Sequence, residues 1–159
     1  MEQTFTLQTI GYIEKNETES YIQLLPKYIE ALEGVAGFSH LKAIYWLDGM
    51  DLPEMRDILQ VASPYKKAPE ILGVFATRAP VRPNLLAVST VKIVTLDEAI
   101  GRIQIVSIDA ENGSPLLDLK PYTPSEDRVE VPIVPEWSAH WPKNVESSEA
   151  FDWSKEFNF

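Results

Sequence analysis

Twelve prolines cut this chain of 159 residues into short apolar runs. Proline has no N–H to give to a strand ladder or a helix interior, so the runs between prolines read as short strands and short helices. A strand is predicted over 5–13, where Phe5, Leu7 and Thr9 alternate with polar neighbours, with a bulge at Gly11. A turn over 16–20 leads to a strand over 21–25. A helix of about two turns over 28–33 starts from Pro26 and ends at Gly34 and Gly37. Leu41, Ile44, Tyr45, Trp46 and Leu47 make 38–47 too apolar for a one-sided surface strand, so it is read as buried. Asp48-Gly49 is a turn, and Pro53 opens a short helix over 52–61. Strands follow over 72–75, 86–95 and 101–109, the last two as a hairpin. Asn112-Gly113 is a turn before a strand over 116–122. Regular spacing of short strands gives a mainly β fold, a barrel or a sandwich with a few short helices.

A chain of this length suits one core. Residues 1–125 are read as the body and 126–159 as a Pro-, acid- and aromatic-rich C-terminal segment. Its Phe151, Trp153, Phe157 and Phe159 are expected to pack on the body or on a partner. The chain has no cysteine, which removes disulfides, thiolate nucleophiles, Fe–S clusters and cysteine zinc sites. Its two histidines, His40 and His140, are too few for a His-rich metal site, so no metal is expected. No apolar run is long enough to span a membrane. The start, Met1-Glu2-Gln3-Thr4, is not a signal peptide, and the expected location is cytoplasmic.

The net charge of −10 is uneven. Residues 61–102 carry six bases (Lys66, Lys67, Arg78, Arg82, Lys92, Arg102) against three acids, while both ends are acidic. General phosphate attraction does not fit such a chain, but a local anion site in its middle does. The acidic ends also serve solubility.

Three constellations carry chemistry. In 73–84, Arg78 and Arg82 are held between Pro80 and Pro83 on a stiff segment after a strand. Guanidinium forks there suit a carboxylate or a phosphate, or pair with nearby acids in a plain turn. In 109–122, Asp118, Lys120 and Tyr122 share one face of a strand, as either a site or a cross-strand ion pair. His40, in Phe38-Ser39-His40-Leu41, opens the buried strand and reads as a satisfied structural group. His140 has no partner that sequence names, and Trp137 and Trp141 beside prolines read as packing.

Four stretches in this order resemble the TsaA/TrmO family of β-barrel methyltransferases that use S-adenosylmethionine. They are Phe38-Ser39-His40-Leu41; Gly73-Val74-Phe75-Ala76-Thr77-Arg78 with Arg82-Pro83-Asn84; Gly113-Ser114-Pro115; and Leu117-Asp118-Leu119-Lys120-Pro121-Tyr122. The resemblance runs from about residue 8 to residue 140, and Val131-Pro132 and Pro135-Glu136-Trp137 are similar to the ending of short members.

The resemblance implies an antiparallel barrel paired as a homodimer, with S-adenosyl-L-methionine as cofactor. It implies methylation of N6-threonylcarbamoyladenosine, next to the anticodon of a tRNA. Carried over, Arg78 matches a cofactor-contacting arginine, Val88 an apolar cofactor contact, and Ile108, Asp109, Ala110 and Glu111 the cofactor's adenosine side. Arg82, Asn84, Asp118, Lys120 and Tyr122 match the polar signature around the pocket. Asp118, Lys120 and Tyr122 are the catalytic candidates, with Asp118 as base or as orienter of a base. Arg82, Asn84, Lys66 and Lys67 are the substrate candidates, the lysines in a basic face for tRNA.

The chain departs from the family in several places, among them Asn112 where aspartate is usual and the C-terminal extension of the larger members, which it lacks. It reads Arg82-Pro83-Asn84-Leu85-Leu86-Ala87-Val88-Ser89 where members read Arg-Pro-Asn-Pro-Ile-Gly-Leu-Ser. It has Asp48-Gly49 where they carry a His-Gln pair, and nothing matching their N-terminal Pro-Arg-Gln motif. The alternatives are a ligand-binding barrel without methyl transfer, with a regulatory role, and an interaction protein that keeps only the fold.

Overall fold

A computed structural model describes residues 3–159; Met1 and Glu2, with the reading of the chain's start, lie outside the described residues. Along these residues run eight strands: β1 (Gly11–Lys15), β2 (Ser20–Leu24), β3 (His40–Trp46), β4 (Gln60–Ala62), β5 (Ile71–Gly73), β6 (Leu86–Asp97), β7 (Arg102–Ile105) and β8 (Pro115–Pro121). The helices are short: α1 (Pro53–Arg56), α2 (Pro124–Asp127), α3 (Val145–Glu149) and a few 3₁₀ turns. The expected mainly β, antiparallel chain with few short helices is what the structure has.

Contacts divide the chain into two units. The first joins the residues up to Asp51 with Leu85–Asp127. Its six strands pair antiparallel in the cyclic order β1-β2-β7-β6-β3-β8, and β8 returns to β1 at Gly11↔Leu116 and Tyr12↔Pro115. Alternation drives this. Leu41, Ala43 and Tyr45 of β3, Ile103 and Ile105 of β7, and Ile13 of β1 point inward and are buried. Gly11 is required because β1 and β2 meet tightly there: a Cβ would lie 2.3 Å from the Gln23 carbonyl oxygen.

Several local expectations are corrected. The strand predicted over 5–13 begins only at Gly11; Phe5 and Leu7 alternate but have no strand partner and are 74% and 56% exposed. The register with β2 runs evenly from Gly11 to Lys15, so the bulge is not there. Register shifts lie instead between Ile44 and Tyr45, which face Asp118 and Leu116, and between Ile93 and Thr95 on β6. The helix predicted over 52–61 stops at Arg56, and its last residues, Gln60 and Val61, pair with β5 as part of β4. The strand over 72–75 gives way to a 3₁₀ turn at Val74–Ala76, and that over 101–109 ends at Ile105.

The second unit joins Leu52–Asn84 with Arg128–Phe159. Tyr65 is its hub, 5.3 Å from the Trp137 ring, 4.9 Å from Trp141 and 5.8 Å from Phe157. Trp153 lies against Trp141, Phe151 and Phe157. The C-terminal aromatics therefore pack within this unit, on residue 65. Among the described residues no helix is long and apolar enough to cross a membrane, and no group of three acidic or histidine side chains could hold a metal.

Candidate functional site

In the first unit the segment 108–111 follows β7. Ile108 is buried and anchors it in the core. The carbonyls of residues 108, 109 and 110 are held by two side chains. The Lys15 ammonium donates to the Ile108 carbonyl at 3.0 Å and to the Ala110 carbonyl at 2.8 Å. The Tyr45 hydroxyl donates to the Asp109 carbonyl between them and lies 3.2 Å from Ser89 Oγ. The Lys15 amide donates to Asn112 Oδ1 at 2.8 Å, and Ser114 Oγ to the Glu111 carbonyl at 2.8 Å. The predicted turn closes the loop with Gly113 at φ 86°. Ionic donors make such bonds shorter and stronger than neutral ones.

Val88 sits on β6 opposite Ile44, between Ala87, which faces Tyr45, and Ser89. Its side chain is 40% exposed. The Tyr45 hydroxyl thus ties β6 to segment 108–111 at Ser89, next in sequence to Val88, whose own side chain lies on the other face of that strand. Sequence reasoning missed both fastening residues. Tyr45 read as core, and Lys15 gives no local signal because its partners lie 93 and 95 residues away.

On β8, Asp118 and Lys120 form an ion pair at 2.9 Å with side chains 46% and 63% exposed. The pair runs along one strand rather than across two. Asp118 Oδ1 also accepts the Leu119 amide at 2.9 Å. Tyr122 lies beyond the end of β8. Its amide donates to the His40 carbonyl at 3.1 Å, and its ring centroid is 6.1 Å from that of His40. Tyr122 therefore contacts His40, while Asp118 and Lys120 pair with each other. His40 Nδ1 is 2.8 Å from Ser39 Oγ, a local partner that fits its structural reading.

In the second unit, Thr77 is buried and shapes the turn before Arg78: its hydroxyl donates to the Val74 carbonyl at 2.9 Å and accepts the Ala79 amide at 3.1 Å. Arg78 and Asn84 are exposed. Arg82 donates to the Ala79 and Val74 carbonyls at 3.3 and 3.4 Å, so its guanidinium closes its own loop. Lys66 and Lys67 are exposed, and the Lys66 amide donates to the Glu156 carbonyl at 2.9 Å. His140 gains the partner that sequence did not name: its Nε2 lies 2.8 Å from buried Glu156. The His140 hydrogen bond chiefly holds the Glu156 carboxyl below its usual range. Burial opposes it, and Trp141 and the charges of His140 and Lys67 add to it.

A groove of about 690 Å³, lined by residues of 35–38 and 93–98, contains none of these candidates.

Residues 11–128 match the family model of the tRNA-methyltransferase O N-terminal domain. A probable S-adenosyl-L-methionine-binding protein of Pyrococcus horikoshii is 39% identical over 118 residues, covering 74% of this chain and 82% of that protein. A protein of the same description from Methanocaldococcus jannaschii is 32% identical over 123 residues, covering 77% and 96%. The crystal structure of TrmO from Pseudomonas aeruginosa superposes with a TM-score of 0.67 at 29% identity, covering 87% of this chain. The chain spans 64% of that solved protein.

Proposed function

The chain belongs to the family of the tRNA-methyltransferase O N-terminal domain, and from that premise we propose that it transfers a methyl group from S-adenosylmethionine to tRNA. The acceptor we favour is N6-threonylcarbamoyladenosine beside the anticodon, with the chain working as a homodimer. The observation that carries the reading is the family match over residues 11–128, which spans every candidate residue from Lys66 to Tyr122.

The residues suit an adenosine-bearing cofactor. A flat, largely apolar base needs an exposed apolar side chain beside a wall that does not move. Val88 offers the exposed apolar side chain and segment 108–111, held by Lys15 and Tyr45, the fixed wall. Bound S-adenosylmethionine supplies a methyl group on positively charged sulfur with an activated leaving group. The rest falls to the chain's own residues, chiefly as positioning. Arg78 binds the cofactor. Arg82 fixes the loop from Val74 to Ala79, and Asn84 faces the substrate. Asp118 takes the proton that the weakly basic acceptor nitrogen releases, with Lys120 as its ion partner. Tyr122 helps hold the acceptor. Lys66 and Lys67 meet tRNA phosphates, supplying local positive charge in an acidic protein.

Incubation with S-adenosylmethionine labelled at the methyl group, followed by digestion of the tRNA, tests this. Label in threonylcarbamoyladenosine supports the proposal. Relatives whose names give only S-adenosylmethionine binding favour a second reading, binding without transfer. Cofactor binding with no label in any tRNA selects that reading.

A further inference from the structure

We propose that Lys15 is a positioning residue for cofactor binding, whose ammonium sets segment 108–111 in the shape that receives adenosine. The inference rests on the reading that the chain binds S-adenosylmethionine.

Lys15 closes β1 opposite Ser20, a strand end where a lysine side chain ordinarily extends into water. Here it is part-buried, and its ammonium is spent on two backbone carbonyls of one loop, at 3.0 and 2.8 Å. The same residue's amide takes Asn112 Oδ1. One residue therefore grips the loop on both sides of Glu111, while Tyr45 holds the carbonyl of Asp109. With all three carbonyls from 108 to 110 engaged, this stretch of backbone has little freedom to adjust to a ligand. It is prepared before binding, and preparation of that kind raises affinity by lowering the ordering cost. Lys15 touches no reacting atom in this account; it acts through the loop.

The test titrates the wild-type chain, Lys15→Met, Lys15→Arg and Tyr45→Phe with two ligands by calorimetry. The ligands are S-adenosylmethionine and 5′-methylthioadenosine, which shares the adenosine but lacks the amino-acid part. Thermal unfolding is recorded beside each titration. Lys15→Met keeps the stem and removes the donors, so both ligands should weaken by about tenfold and by the same factor. Lys15→Arg, which restores donors, should recover most of the loss. A merely structural tie would lower the melting temperature and leave both affinities in place, and that result overturns the proposal. So does a loss confined to S-adenosylmethionine. Should Lys15→Met not fold, Tyr45→Phe carries the same test, since it releases the Asp109 carbonyl and should weaken both ligands equally. Failure of the wild-type chain to bind either ligand overturns the cofactor reading and this inference with it, an outcome distinct from wild-type binding that the variants leave unchanged.

Discussion

Asp118 and Lys120 lie two residues apart on β8 with their charged atoms 2.9 Å apart, and both side chains stay substantially in water. An exposed pair of this kind adds about 0–1 kcal/mol to stability. Asp118→Asn should therefore move the unfolding free energy by no more than about 1 kcal/mol. If Asp118 is the base, the same change should slow methyl transfer by about 100-fold or more and leave cofactor affinity alone. Full transfer by the variant would remove Asp118 from the chemistry.

Gly11 makes a stability prediction independent of function. A methyl group there would meet the Gln23 carbonyl oxygen at 2.3 Å and the Leu24 Cα at 3.0 Å, both backbone atoms with little room to yield. Gly11→Ala should cost about 1–3 kcal/mol in urea unfolding. A loss well below that would mean β1 and β2 separate more easily than their pairing indicates.

The His140–Glu156 pair sets a pH dependence. The hydrogen bond from His140 lowers the folded-state pKa of Glu156. A group lowered on folding contributes stability above its unfolded value, about 4.3, and loses it as pH falls toward the folded value. The stability advantage of the wild type over Glu156→Gln should thus be present at pH 6 and shrink on acidification below about pH 4.3. An advantage unchanged down to pH 3 would contradict the assignment.

Lys66 and Lys67 give the tRNA reading an electrostatic signature. Each phosphate contact adds about −0.7 to −0.9 to the slope of log affinity against log salt. Replacing both lysines by alanine should flatten that slope by about 1 to 2. An unchanged slope would place tRNA contact elsewhere.

Much of the fold was legible because its determinants are local. Asn112-Gly113 marked a turn, and Gly113 adopts the positive φ it needs. Alternating Ile103 and Ile105 marked β7, and both are buried. The failures are equally physical. Pro53 did start a helix, but it stops at Arg56, and of the residues that follow Gln60, Val61 and Ala62 pair instead as β4 with β5, where a β-branched valine fits better than in a helix. Phe5 and Leu7 alternate as a strand does and lack a strand to pair with. In the first unit the motifs named Val88 and segment 108–111 as candidates. What fastens that segment was not readable, because Lys15 and Tyr45 reach it across the fold. Glu156 as the partner of His140 was hidden for a different reason: a glutamate in an acid-rich tail carries no mark of burial.

Calorimetric titration of the cofactor-stripped chain with S-adenosylmethionine, repeated with Arg78→Ala, tests the central claim most directly. The account predicts binding in the micromolar range by the wild-type chain and its loss in the variant. No heat at millimolar S-adenosylmethionine, or equal binding by both proteins, would contradict it.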